Sequence, residues 1–409
     1  MSLRNRVMEY IESKASFLEE ATSGFVRTPS VSGAEGDAAG LLLGRLGEMG
    51  MEAKADAIGN VLGWLRGKSP AGSKRLAFNV HLDHVPPGQR SSWSRDPYSG
   101  TVEGGRVYGR GASDTKGAWA PMLLAMDAVG RNGGVEGDVL LTAVVMEELT
   151  YCAGMGHLLD VTLRESRPDF IVSGEATSLN VAVGHRGRAE IEFTSRGRSA
   201  HASAPWRGEN ALYKAAPIVS SMEKLSRGLV MGASHPLLGK STFALTDISC
   251  SPGARNVIPD LCRLYMDYRF LPEETADSIL GRVRQRLKMD SLDAEVRLVE
   301  GEETSYTGHR FKGKKFMPGF IMDEGHPLVG AAADSAKAVL ASPPRIQRWD
   351  FATDGGYSMG VLGIPTVGLS PCEELLAHTV DECVRLDHMM LAAKIYAEMI
   401  LRLCNGRHQ

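Results

Sequence analysis

At 409 residues the chain is long enough for more than one hydrophobic core, and its 43% hydrophobic and 23% charged content is that of an ordinary globular protein. Lys plus Arg number 46 against 49 Asp plus Glu, a net charge of −3, which offers nothing to suggest nucleic acid or an anionic membrane surface as a partner. No apolar run approaches the ~20 residues of a membrane span, the N-terminus lacks a signal peptide's apolar stretch, and the 6 cysteines form no C-x-x-C pair, so the expectation is a cytoplasmic protein with reduced thiols.

Helical patterns cover 4–21 and 36–49, and short strands are expected at 51–57 and 60–65. A polar turn at 69–74 leads to the apolar run Leu76, Ala77, Phe78, Val80, which reads as a strand buried on both faces. It ends in His81-Leu82-Asp83-His84 and is stopped by Pro86-Pro87-Gly88. Strand alternation points His81 and Asp83 the same way. Burying an imidazole and a carboxylate together is costly unless they are used. A metal is the obvious use, with the carboxylate fixing the ring tautomer; a surface His-x-Asp at a strand end is the plainer reading. A loop with Trp93, Asp96, Pro97 and Tyr98 follows, and a glycine-rich turn, 104–117, runs into a helix at 118–129. Asp114 precedes that helix, where an N-cap is its ordinary role. The phosphate-loop spacing is absent around Lys116-Gly117.

A second buried strand, 137–146, ends in Glu147-Glu148. A third, 169–172, ends in Ser173-Gly174-Glu175. Adjacent carboxylates facing the His81 cluster would repel unless a cation lay between them. In an open, mostly parallel α/β sheet, this carboxyl edge is where ligands bind. Beyond residue 180 the texture changes. Alternation at 181–194, a helix at 210–227, strands at 242–249 and 262–269, a helix at 275–288 and a strand at 294–300 give the β-α-β-β-α-β order of a split βαβ sandwich. The expected architecture is a mostly parallel mixed sheet with helices on both faces, spanning 1–182 and 302–409, with a ferredoxin-like α+β domain inserted at 183–301. A helix at 328–340, a strand at 345–350, a buried segment at 363–369 and a final helix at 386–403 close the large unit. His378 falls after the third of these, on the same sheet edge.

His81-Leu82-Asp83, Gly109-Arg110-Gly111-Ala112-Ser113-Asp114, Glu147-Glu148, Gly174-Glu175 and Ala377-His378 together resemble the five-motif signature of the M20 metallopeptidases. That family includes aminoacylases, acetylornithine and succinyl-diaminopimelate deacylases, and glutamate carboxypeptidases. The likeness extends over essentially the whole chain, including Ser199-Ala200-His201-Ala202-Ser203 and the 255–260 segment. In texture it is closest to the branch linked to selenium metabolism, through Trp93 to Tyr98, Ser305-Tyr306-Thr307-Gly308 and the 349–355 segment. The resemblance implies a zinc-peptidase-like fold with two divalent ions, zinc most often, with cobalt or manganese able to serve. His81, Asp114 and Glu175 would hold one ion and Asp114, Glu148 and His378 the other, Asp114 bridging. Asp83 would support His81, and Glu147 would be the general base. His201 would stabilise the oxyanion, arriving from the other subunit in related dimers, and a homodimer through the inserted domain is implied with it. Arg186, Asn256, Arg269, Thr353 and Gly355 resemble positions that grip the substrate, a small molecule with a carboxylate. Two departures stand out: His84, and Leu149-Thr150-Tyr151 after the second ligand.

The chemistry expected of such residue types is hydrolysis. Two divalent ions can hold one water as hydroxide, lowering its pKa from ~15.7 toward ~7, while Glu147 moves its proton to the leaving nitrogen. The expected reaction is cleavage of an amide, N-acyl or peptide C–N bond. N-carbamoyl or ureido hydrolysis and hydrolytic deamination are alternatives on the same site. A non-catalytic binding protein is disfavoured by the intact Glu147 and ligand positions.

Overall fold

The structure is a computed structural model that describes residues 1–405 except Pro70, Ala71, Thr150, Met231 and Ala233. Parts of the 69–74 turn and of the 149–151 departure therefore lie outside the described residues. An eight-stranded sheet forms the larger body, in the order Glu52–Ala55, Val61–Leu65, Val139–Val144, Leu76–His81, Phe170–Ser173, Thr366–Gly368, Val181–Ala182, Ile346–Gln347. The middle four strands are parallel to one another, and each is an apolar run buried along its length. Alternation divides their side chains between two cores. Leu76, Phe78, Val80, Leu141 and Val172 enter one core with the helices Gly117–Arg131, Pro327–Val339 and Leu386–Leu403. Ala77, Leu140 and Ile171 enter the other with Met155 of the short helix Ala153–His157. Helices on both faces are what a parallel sheet requires. Among the described residues no helix is long and apolar enough to cross a membrane.

A second sheet is antiparallel throughout, ordered Thr242–Ser251, Leu261–Phe270, Gly187–Arg196, Glu295–Leu298. The helices Ala211–Val230 and Ala276–Met289 cover it, and it has a core of its own around Ile191, Phe193, Met266, Tyr268, Ile279 and Val283. Its second strand alternates between buried and half-buried residues over ten positions, the pattern of a sheet with one face on a core.

Several boundaries differ from the sequence reading. The helix expected at 4–21 is two, Leu3–Glu12 and Ala15–Arg27, broken at Ser13 and Lys14. The strand expected at 181–194 is three pieces: one completes the large sheet, Gly184–His185 pairs with Phe320–Ile321, and only Gly187–Arg196 belongs to the second sheet. Pairing with that second sheet also runs past residue 301, because Phe316–Met317 joins Gly187–Arg196. Between them a hairpin, Glu300–Thr304 with Arg310–Lys314, reaches back to the large body. Its tip residue Tyr306 donates to the Gly59 carbonyl at 3.0 Å. The 345–350 segment keeps only Ile346–Gln347 as strand.

The two crossings between the bodies therefore pair with each other, and His185 sits in that strap. It is fully buried. Its Nδ1 donates to the Arg186 carbonyl at 2.9 Å, and its Nε2 accepts the Thr353 N–H at 3.1 Å. Burial pushes this imidazole down from 6.5 to about 4. The unfolded chain thus binds a proton that the folded chain refuses, so stability is full above pH 6.5 and falls as pH drops toward 4. The loss is worth up to ~3 kcal/mol by the free energy of a pKa difference. In paired denaturation curves, the difference between wild type and His185→Gln should vary with pH across this window and level off above it.

Candidate active site

The carboxyl ends of the middle strands converge. His81 is the last residue of Leu76–His81; its Nδ1 donates to the Asp83 carbonyl at 2.9 Å. That leaves Nε2 facing Asp114 Oδ1 at 3.0 Å and Glu175 Oε1 at 3.6 Å. The backbone carbonyl of Asp83, and not its carboxylate as the sequence suggested, makes the short contact that orients the ring. The Asp83 carboxylate stands 3.6 Å from Nδ1. It accepts the Glu147 and Glu148 N–H groups at 3.1 and 3.2 Å and the Ser32 hydroxyl at 2.6 Å. One buried carboxylate thereby fixes the turn that presents both glutamates. Across the cleft, His378 Nε2 lies 2.9 Å from Asp114 Oδ2 and 3.1 Å from Glu148 Oε1. Asp114 thus gives one oxygen to each imidazole. Met146 and His378 both adopt φ near +61°, a conformation rare for residues with a side chain and typical of places where geometry is imposed by surrounding structure.

Asp114 is not a helix cap. It lies in the irregular turn 112–116 with φ −140° and ψ 85°, and the peptide to Thr115 is cis. The turn is held by Glu382, a fully buried side chain that sequence reasoning left without a role. Glu382 accepts the N–H groups of Ser113, Asp114 and Gly111 at 2.7, 3.0 and 3.2 Å, and Arg110 Nη1 at 2.6 Å. The Arg110 guanidinium lies 5.1 Å from the Trp93 ring, which ties the 93–98 loop to the same assembly. Glu382 follows His378 by four residues in an acidic pair, a signal too common on surfaces to stand out. Removing one partner of a buried ion pair costs about 3–5 kcal/mol. Glu382→Ala should therefore lower the unfolding free energy by about 3 kcal/mol or more in chemical denaturation, and Glu382→Gln by less.

Burial pushes the Asp114 carboxyl up, but hydrogen bonds from His378 and His81 outweigh it and hold it well below the usual range. Burial and the neighbouring carboxylates push Glu147 and Glu175 well above theirs and raise Glu148 too. His378 is lifted to about 10 by Asp114 and Glu148. A cavity of about 830 Å³ opens over these groups, lined also by Arg186, which immediately precedes the second sheet, and by Arg188 and Arg269 of that sheet. Asp267 binds Arg188 at 2.8 Å and Arg269 at 2.6 Å. Among the described residues Arg186 donates to neutral oxygens, the Lys240 carbonyl at 3.0 Å and the Thr242 hydroxyl at 3.1 Å. Arg188 was missed, although it sits two residues beyond Arg186, where alternation returns a strand to the same face.

The structure does not bring every sequence candidate to the cavity. His201 and Asn256 are exposed outside it, adjoining each other through the His201–Val257 bridge and an Ala202 N–H to Asn256 carbonyl bond of 2.9 Å. Thr353 and Gly355 are buried behind the wall. The Thr353 hydroxyl accepts the Gly355 N–H at 3.1 Å, and a Cβ on Gly355 would come within 2.4 Å of the Phe320 ring. Neither lines the cavity. His84 is also structural: Nε2 accepts the Ser30 N–H at 2.9 Å, Nδ1 donates to the Val85 carbonyl at 2.9 Å, and burial lowers the ring to about 4. Tyr151 packs against Gly301 and Gly313 of the hairpin instead of lining the cavity.

The profile of the Peptidase family M20/M25/M40 matches residues 77–402. The chain belongs to this family. Over 348 residues it is 32% identical to the uncharacterized protein YgeY of Escherichia coli (strain K12), covering 85% of this chain and 84% of the other. It is 27% identical over 362 residues to the N-formyl-4-amino-5-aminomethyl-2-methylpyrimidine deformylase of Bacillus subtilis (strain 168), with coverage of 86% and 84%. In fold it matches the M20 family metallo-carboxypeptidase Sso-CP2 from Sulfolobus solfataricus with a TM-score of 0.74, at 18% identity over 94% of this chain and 98% of that one. As an M20 member the chain is a hydrolase acting on amide bonds, built on the mixed α/β fold of that family.

Proposed function

We propose that this M20 member is a metal-dependent amidohydrolase that cleaves the C–N bond of an N-acyl amino acid or small peptide. The observation that carries this reading is the pair of donor sets sharing Asp114. His81, Asp114 and Glu175 form one and Asp114, Glu148 and His378 the other, the ligand atoms of each within 4.8 Å of one another. Three carboxylates and two imidazoles suit two divalent ions, and a cation in each set would offset the crowding that raises Glu148 and Glu175. An oxygen-and-nitrogen donor set fits zinc, with cobalt and manganese also compatible. When bound, such ions would supply Lewis-acid activation of a water and of the scissile carbonyl.

The chain's own groups supply the rest. Glu147 is buried, lines the cavity and is held by its own N–H on Asp83. Its carboxylate takes a proton from the attacking water and returns it to the leaving nitrogen, a role worth ~10²–10⁴-fold. Arg186 faces the same cavity with no carboxylate within ion-pair distance among the described residues. Its charge is free to receive the substrate carboxylate, a charge-assisted bond of ~1.5–3 kcal/mol.

A pooled panel of N-acyl amino acids, dipeptides and N-carbamoyl amino acids, each also as its methyl ester, tests this reading by mass spectrometry. Turnover of acids over esters is expected, with Glu147→Gln keeping the wild-type metal content but losing at least ~10²-fold in kcat. Full activity in that variant would remove Glu147 from the role, and turnover confined to carbamoyl compounds would replace the N-acyl reading.

His201 and Asn256 enter this reading from a second copy of the chain. Trp206 and Tyr213, close to His201 in sequence, are 75% and 76% exposed, which leaves apolar surface there for a second copy to cover. His201 would then donate a hydrogen bond to the oxyanion across a homodimer. Mixing inactive His201→Ala with inactive Glu147→Gln should restore activity as mixed dimers form, since one site of each is intact. No recovery after subunit exchange would count against completion in trans.

A further inference from the structure

Cys250 and Cys262 are paired positions on the adjacent antiparallel strands Thr242–Ser251 and Leu261–Phe270. Both are free thiols, and their sulfurs lie 3.0 Å apart. Opposite residues of an antiparallel ladder hold their Cα atoms ~4.5 or ~5.5 Å apart. Disulfides span Cα separations of ~4.4–6.8 Å, so the backbone is already placed for a bond. Among the described residues no other two cysteine sulfurs come within hydrogen-bonding reach of each other.

The two thiols are not equivalent. Cys262 is fully buried, while Cys250 is half-buried on the edge strand of the sheet formed by the described residues. Burial and the contact with Cys250 push the Cys262 thiol up to about 12. Cys250 is therefore the sulfur that a small oxidant meets first.

The pair stands at the base of a connection. Residues 251–261 lie between the cysteines and include Asn256. On its far side the connection is stitched to the His201 segment: the Ile258 N–H donates to the Ala200 carbonyl at 2.8 Å, and the Ala202 N–H to the Asn256 carbonyl at 2.9 Å. A covalent link at the base would close the connection into a ring and limit the freedom of everything it carries.

We propose that Cys250 and Cys262 form a reversible oxidation site, whose disulfide fastens the base of the 251–261 connection and the His201 segment paired with it. With a hydroperoxide as oxidant, the Cys250 thiolate attacks the peroxide, the O–O bond breaks, and a sulfenic acid forms. The Cys262 sulfur then attacks Cys250. The S–O bond breaks, and the departing hydroxide takes the Cys262 thiol proton as water. With hydrogen peroxide, two thiols give one disulfide and two waters, the two electrons passing to the peroxide.

The test is independent of catalytic activity. The full chain is reduced, exposed to hydrogen peroxide at low excess, and digested without reductant. The expected product has lost the mass of two hydrogens and yields one cross-linked peptide joining Cys250 to Cys262, absent in Cys250→Ser and reversed by dithiothreitol. Amide hydrogen exchange in 251–261 should slow on oxidation of the wild type and not of Cys250→Ser. Cys250 oxidised further without a cross-link, a cross-link to another cysteine, or an unmodified chain would overturn the site. A cross-link that leaves exchange unchanged would overturn the fastening.

Discussion

A single carboxylate facing two imidazoles from an irregular turn is the constraint around which the larger body is arranged. Asp114 reaches His81 with one oxygen and His378 with the other. No regular element supplies that orientation, because its backbone departs from helical geometry within the turn. The position is imposed by a second buried carboxylate, Glu382, which gathers three successive or near-successive N–H groups and an arginine. Asp83 does the corresponding work for Glu147 and Glu148. In both cases the acid that would do chemistry is placed through its main chain by an acid that does none. Backbone N–H groups are obligatory donors, and binding them to a buried carboxylate sets the turn more firmly than side-chain packing would.

The parallel sheet explains why such supports are needed only at one edge. Its strands are apolar on both faces and settle into two cores by alternation alone. Polar and charged groups appear where pairing stops, and there the chain leaves regular structure within a residue or two. Met146 and His378 take left-handed backbone angles at this border. The edge combines a rigid base with irregular presentation, and that combination lets donors from distant parts of the sequence meet.

Much of this was legible. Apolar runs ending in His81, Glu147-Glu148 and Gly174-Glu175 announce buried strands with charge at one end, and the sheet order places all three endings together. Alternation at 181–194 and the β-α-β-β-α-β order announce the second sheet. Less legible were features whose signal lies in three dimensions. Asp83 was expected to orient His81 through its carboxylate, because period-two geometry says where a side chain points but not which atom makes the shortest bond. Glu382 and Arg110 look like ordinary surface residues until their burial is seen. Thr353 and Gly355 matched a substrate-binding pattern, but Phe320 occupies the space beside them. The break at Ser13 and the division of 181–194 into three strands reflect tertiary partners that local periodicity does not encode.

The strap between the two bodies has a mechanical consequence. Gly184–His185 and Phe320–Ile321 are the paired crossings of the chain, and the Thr353 N–H anchors His185 to the large body. Any swing of the second sheet that keeps this pairing has its axis close to the strap, so displacement grows with distance from it. Arg186 follows His185 directly and sits at the short end of the lever, where it barely travels. His201 and Asn256 lie beyond the other end of Gly187–Arg196 and would sweep a longer arc. A ligand held by the guanidinium would thus keep its registration while distant parts of the second body move around it, separating the task of holding from the task of closing.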